Sequence, residues 1–151
     1  MAAEEIIIEE EAPRYLLDTN IVSELIKPDA SFSVVQKIAE HNSDCAICAP
    51  VWQELQFGVE LLQDGAQKAF LKKFVEELCG DFKILNYTKK AAEEHAKLRA
   101  QLQKIGKPTQ HFDSMIAAVA LANRMILVTG KAKHFSAIQK ASGLQVENWL
   151  E

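Results

Sequence analysis

The chain has 151 residues, of which 48% are hydrophobic and 25% charged, with a formal net charge of −4. That length suits one ordinary domain with its own core, and the mix is that of a globular protein rather than a disordered or fibrous one. No apolar run approaches the roughly 20 residues of a membrane helix, and the acidic start from Met1 to Pro13 lacks the basic end and long apolar stretch of a secretory signal, so a cytoplasmic protein is expected.

Residues 1–13 read as an acidic N-terminal tail, and 14–151 as the folded domain. The run Tyr15-Leu16-Leu17 before Asp18-Thr19-Asn20 reads as a short buried strand ending in a polar loop or helix cap. Ile21 to Ile26 then looks helical and Pro28 stops it; Val34 to Ala39 is a second short helix. Ala46 to Ala49 reads as a buried strand, and Pro50 opens a helix from Val51 to Leu62. Gly65 precedes a helix over Ala66 to Cys79, and Phe82 to Leu85 is the next strand. Thr88 caps a long helix to about Ile105, with Ala91, His95, Leu98, Leu102 and Ile105 on one stripe, ended by Gly106 and Pro108. Asp113 opens a helix whose apolar face is Ile116, Ala117, Ala120 and Leu121. Met125 to Val128 is a strand, Phe135 to Lys140 a short helix, and Leu144 to Glu147 a terminal strand. Strands alternating with helices imply a single three-layer α/β/α domain around a mostly parallel central sheet.

Three cysteines argue against a disulfide framework. Cys45 and Cys48 have C-x-x-C spacing, but on a strand their odd offset sends them to opposite faces, so they read as buried structural thiols rather than a metal clamp. The charge is uneven, with 6 basic against 13 acidic residues in 1–75 and 11 against 8 in 76–151. Global charge therefore neither supports nor excludes a nucleic-acid partner. No phosphate-binding glycine loop and no dinucleotide-binding glycine pattern is present.

In an open α/β sheet, ligands bind at the carboxyl ends of the strands. Asp18 and Thr129 follow strands, and Glu54 and Asp113 lie near helix starts, where the same connections converge. Singly, Asp18 and Asp113 each read equally well as helix caps. Glu54 sits about 60° from the centre of the stripe Val51, Leu55, Gly58 and Leu62, close enough to a buried face to need a partner. Three carboxylates gathered at one sheet edge would raise one another's pKa unless a cation lay between them. Mg²⁺, or Mn²⁺ in its place, suits a few carboxylates plus water.

The run Leu16-Leu17-Asp18-Thr19-Asn20-Ile21-Val22-Ser23-Glu24-Leu25 resembles the opening signature of PIN-domain proteins of the VapC type, the toxins of bacterial toxin–antitoxin pairs. Trp52-Gln53-Glu54-Leu55-Gln56-Phe57-Gly58 is similar to the family's second acidic motif. Gly106-Lys107-Pro108 followed by Phe112-Asp113-Ser114-Met115-Ile116-Ala117-Ala118 resembles the third, and Leu127-Val128-Thr129 the fourth. The closing Val146-Glu147-Asn148-Trp149 fits the same pattern, so the resemblance spans nearly the whole chain.

What it implies is a metal-dependent endoribonuclease, commonly a homodimer, inhibited by a small antitoxin protein. Asp18, Glu54 and Asp113 would be the metal-binding, catalytic acids, with Asn20 and Thr129 on the same RNA substrate pocket. Cleavage would be hydrolytic and leave 5′-phosphates. The chain departs from the family at Lys131, where a further acid or Asn often stands; this lysine is a candidate phosphate contact, with Lys107, Arg99 and Lys133 as weaker ones. His95 reads as a packing residue, His111 as a possible neighbour of the cleft, and Trp52 and Phe57 as core. Two other readings stay open: a catalytically inert PIN-fold binding module, favoured by Lys131, and an RNA-processing nuclease without an antitoxin. A phosphoacceptor receiver domain fits less well, because Asp113 opens an alanine-rich helix instead of following a central strand.

Overall fold

The structure, a computed structural model, describes residues 13–151, so the expected acidic tail lies almost wholly outside the described residues. Five strands form one parallel sheet: β1 (Tyr15–Leu17), β2 (Cys45–Cys48), β3 (Lys83–Leu85), β4 (Ile126–Val128) and β5 (Val146–Glu147). Their order across the sheet is β3-β2-β1-β4-β5. Every residue of β1 and β2 is buried. Such strands need helices over both faces, and the chain supplies seven among the described residues. They are α1 (Thr19–Ile26), α2 (Phe32–His41), α3 (Ala49–Glu60), α4 (Ala66–Cys79), α5 (Lys89–Lys104), α6 (His111–Ala122) and α7 (Ser136–Ser142). None is long and apolar enough to cross a membrane.

The strand order places the site. From β1 the chain builds outward through β2 to β3, then returns to the other side of β1 with β4 and continues to β5. The direction of winding therefore reverses between β1 and β4, which pair in register from Tyr15 opposite Ile126 to Leu17 opposite Val128. A crevice opens at the carboxyl ends of two such neighbouring strands. Asp18 and Thr129 are the next residues after them.

Element types agree with the sequence reading, and the differences lie at the ends. Ser31 caps α2, its Oγ accepting from the Val34 amide at 3.4 Å, so that helix starts earlier than its apolar pattern shows. The second strand is shifted by one residue to Cys45–Cys48, because Ala49 already belongs to α3. The stripe of α3 is Val51, Leu55 and Val59; Gly58 faces solvent. Ile105 falls beyond the end of α5 and is 58% exposed, unlike the buried Ala91, His95, Leu98 and Leu102. Gly106 ends that helix in the left-handed region at φ +70°, where a side chain would be strained, while the Lys107 amide bonds back to the Leu102 carbonyl.

Candidate active site

Asp18 is buried, and hydrogen bonds fix its carboxylate on both oxygens. Oδ1 accepts from the Thr19 amide at 2.7 Å, which makes Asp18 the N-cap of α1. Oδ2 accepts from the Thr129 hydroxyl at 2.9 Å and from Asn20 Nδ2 at 3.0 Å. Asn20 Nδ2 also donates to Thr129 Oγ1 at 3.2 Å, and its Oδ1 accepts from the Gly130 amide at 2.7 Å. Thr129 Oγ1 in turn accepts from the Lys131 amide at 3.0 Å. The ends of β1 and β4 are thus stitched together by side chains that each fill several hydrogen-bond positions. Asp18 is both a cap and a member of the site; the two readings are not alternatives.

Asp18, Asn20, Glu54, Asp113 and Lys131 all line one cavity of about 590 Å³. Glu54 reaches it from α3, half-buried beside the apolar stripe that seats that helix on the sheet. Asp113 reaches it from α6. The expected helix start is corrected here: α6 begins at His111 after Gln110, so Asp113 is the third helical residue and caps nothing. Thr129 is fully buried behind Asp18 and orients it from below the cavity wall.

Electrostatics distinguish Asp113. Burial, then the negative charge of Asp18, push its carboxyl above the usual range, while His134 and Lys131 partly offset this. The acids facing the cavity are hard oxygen donors, with the His134 imidazole beside them, whereas all three thiols are buried and unpaired. Burial raises the thiols of Cys45 to about 12 and of Cys48 and Cys79 to about 11, and none of the three lines the cavity. The Thr19 hydroxyl, on the cavity-lining Thr19, is buried without a hydrogen-bond partner. Among the described residues no three His, Cys, Asp or Glu side chains form a ready metal cluster. The acids share a cavity but do not close on one another, an arrangement suited to a cation that keeps part of its water shell.

Ser23, His134, Gln110, Phe112 and Thr19 also line the cavity, though their roles were not anticipated from sequence. Ser23 stands three residues after Asn20 on α1, a helical spacing that shares one face, so the signal was present. His134 lies in a 3-10 turn, Ala132–Phe135, whose orientation no periodicity reveals. His111 is exposed and lines a separate hollow with Arg99 and Pro108, so it does not border the cleft. Phe57 is 56% exposed on the outer side of α3, not core, while Trp52 is partly buried against the core. Lys107, Arg99 and Lys133 do not line the cavity.

Residues 15–140 match the PIN domain family model. The chain is 30% identical over 137 residues to the tRNA(fMet)-specific endonuclease VapC of Shigella flexneri, covering 90% of this chain and 98% of the relative. The crystal structure of FitAcB from Neisseria gonorrhoeae superposes with a TM-score of 0.80 at 29% identity, over 89% of this chain and 97% of that one. A toxin-antitoxin complex from Klebsiella pneumoniae gives a TM-score of 0.64 at 25% identity, over 82% of this chain and 92% of that one. With the parallel sheet, the crevice between β1 and β4 and the family match over most of its length, the chain belongs to the PIN-domain family and stands within it beside the VapC-type proteins.

Proposed function

We propose that the chain is a Mg²⁺-dependent endoribonuclease and the toxin of a toxin–antitoxin pair. The observation that carries this reading is the convergence of Asp18, Glu54 and Asp113 on one cavity, with Asp113 raised in pKa partly by the charge of Asp18. Such a set favours a hard cation with oxygen ligands. Asp18, Glu54 and Asp113 would hold it, directly or through water. When bound, Mg²⁺ supplies positive charge that eases deprotonation of water and offsets charge building on the phosphate oxygens.

The residues of the chain bind and orient. Thr129, Asn20 and the Thr19 amide hold Asp18 in one rotamer, so its remaining lone pairs keep a fixed direction. Ser23 offers a hydroxyl along α1, Lys131 a positive charge and His134 a ring nitrogen toward the RNA phosphate, while Asn20 lines the cavity with its amide committed to Asp18, Thr129 and Gly130. In hydrolysis the water oxygen bonds to phosphorus, the P–O3′ bond breaks, and a proton from water ends on O3′. The products carry 3′-hydroxyl and 5′-phosphate ends.

The test is cleavage of RNA by the purified protein and by Asp18→Ala, with Mg²⁺ or with EDTA. Cleavage confined to wild type with Mg²⁺, leaving 5′-phosphates, is the expected result; 2′,3′-cyclic phosphate ends would overturn the mechanism. An inert binding module is the second reading, favoured by the presence of Lys131 in the same cavity as the acids. Calorimetric titration with Mn²⁺ separates the two, since the inert module takes up no ion.

The toxin role draws support from relatives named as toxin–antitoxin proteins and from apolar surface left in solvent. Phe57 on α3, Leu61 just after it and Phe70 on α4 are each more than half exposed, and Phe70 stacks on Phe74 at 6.1 Å. Exposed aromatic surface of this kind favours a protein partner. Growth arrest on expression, relieved by the product of an adjacent small gene, is expected; free growth would favour a processing nuclease without an antitoxin.

A further inference from the structure

His95 is 8% exposed, far from the acids in sequence, and the reaction as described does not use it. Its two ring nitrogens are both engaged. Nδ1 lies 2.8 Å from the Tyr87 hydroxyl and Nε2 lies 2.8 Å from Ser114 Oγ. Ser114 is fully buried, next to Asp113. Its Oγ lies 3.2 Å from the Gln110 carbonyl and 3.1 Å from the His111 carbonyl.

Counting hydrogens gives this chain a direction. Carbonyls only accept, so the single Ser114 hydroxyl hydrogen points at the backbone, and Oγ accepts from His95 Nε2–H. In the neutral ring Nδ1 is then bare and accepts from the Tyr87 hydroxyl. Every polar atom is satisfied with a neutral imidazole. Burial, with Arg99 and His111 nearby, lowers the His95 pKa and supports that neutral form.

The first turn of α6 lacks one ordinary support. Gln110, its cap residue, makes no side-chain cap hydrogen bond. Helix starts without a cap fray, since their first amides have no partner within the helix. Here Ser114 ties that turn to its own preceding carbonyls and, through His95, to α5; Tyr87 extends the tie to the segment before α5. Asp113 projects from the same turn into the cavity.

We propose that Tyr87, His95 and Ser114 act as a positioning relay that pins the first turn of α6 and so fixes the Asp113 carboxylate at the cavity. The relay rests on Asp113 belonging to the working acid set. Its members touch no substrate; they act through Asp113. A displacement of about 1 Å at a reacting group can cost on the order of 100-fold in rate, so partial loosening is expected to cost at least about tenfold.

The experiment combines amide hydrogen exchange with steady-state RNA cleavage for wild type, Ser114→Ala, His95→Phe and His95→Gln. In Ser114→Ala and His95→Phe, exchange at the amides of residues 114–116 should speed up about tenfold while the sheet amides stay unchanged. The kcat should fall about tenfold with KM within about twofold of wild type. His95→Gln, which keeps a donor for Ser114, should restore most of both. Unchanged exchange in the first turn of α6, or faster exchange spread evenly over the chain, overturns the relay. Faster local exchange with an unaltered kcat removes its link to Asp113. If wild type cleaves no RNA, the nuclease reading fails, and the exchange pattern with the ¹⁵N shifts of the His95 ring still decides whether the relay exists.

Discussion

Asp18 accepts three hydrogen bonds through two oxygens, and two of the donors belong to side chains that also bond each other. The buried Thr129 hydroxyl is the hub: it donates to Asp18 and accepts from Asn20 and from the Lys131 amide. Replacing it with an isosteric methyl leaves those donors without their acceptor. Thr129→Val is expected to destabilise the fold by about 1–3 kcal/mol, the usual cost of stranding buried polar groups, measurable by urea denaturation. Asp113 carries the opposite balance, since burial and Asp18 make its charged form unfavourable. Asp113→Asn is expected to raise Tm in metal-free buffer by about 2 °C, the scale of a change near 1 kcal/mol in a chain of this size. The same variant should lose Mn²⁺ binding in calorimetry, the exchange of stability against function typical of active sites. A lowered Tm would show that Asp113 is structural.

At the scale of elements, α5 and α6 meet through His95, and that contact has a pH signature. Its folded pKa lies below the ordinary value of 6.5 because burial, Arg99 and His111 disfavour the imidazolium, and Tyr87 and Ser114 are neutral partners. The unfolded chain therefore binds a proton first as pH falls through about 6.5. The contribution of His95 is fully present above that pH and is lost as pH drops through the lower folded value. Unfolding free energy is expected to fall between pH 7.5 and pH 5.5, and to fall less in His95→Phe, which titrates nothing there. Equal slopes in the two proteins would remove His95 as the cause. The helix α3 teaches a related lesson about pattern. Val51, Leu55 and Val59 seat it, which leaves Glu54 at the cavity and turns Phe57 outward. Its apolar residues point in more directions than one core can take, and periodicity alone does not say which of them lose.

In the whole molecule, the carboxyl-terminal residues close the core. Trp149 is almost fully buried, its ring 5.1 Å from Tyr15 of the central strand and 5.7 Å from His41 at the end of α2. Trp149→Ala is expected to cost about 3–5 kcal/mol, as for large aromatic side chains removed from a core, read as a lowered urea midpoint. A loss near zero would mean that the end of the chain is only draped over the fold.

The order of apolar runs, Gly and Pro breaks and cap residues in the sequence was enough to determine the alternation of strands and helices, because each depends on neighbours within a few residues. Four acidic and polar motifs in order also marked Asp18, Glu54, Asp113 and Thr129. Only the tertiary structure decided that Asp113 caps nothing, that Thr129 stands behind Asp18, that His134 and Ser23 face the acids while His111 faces away, and that His95 reaches Ser114. Those relations join residues from separate elements across the β1–β4 reversal and the α5–α6 contact. Side-chain direction there is set by how whole elements pack, which local periodicity does not encode.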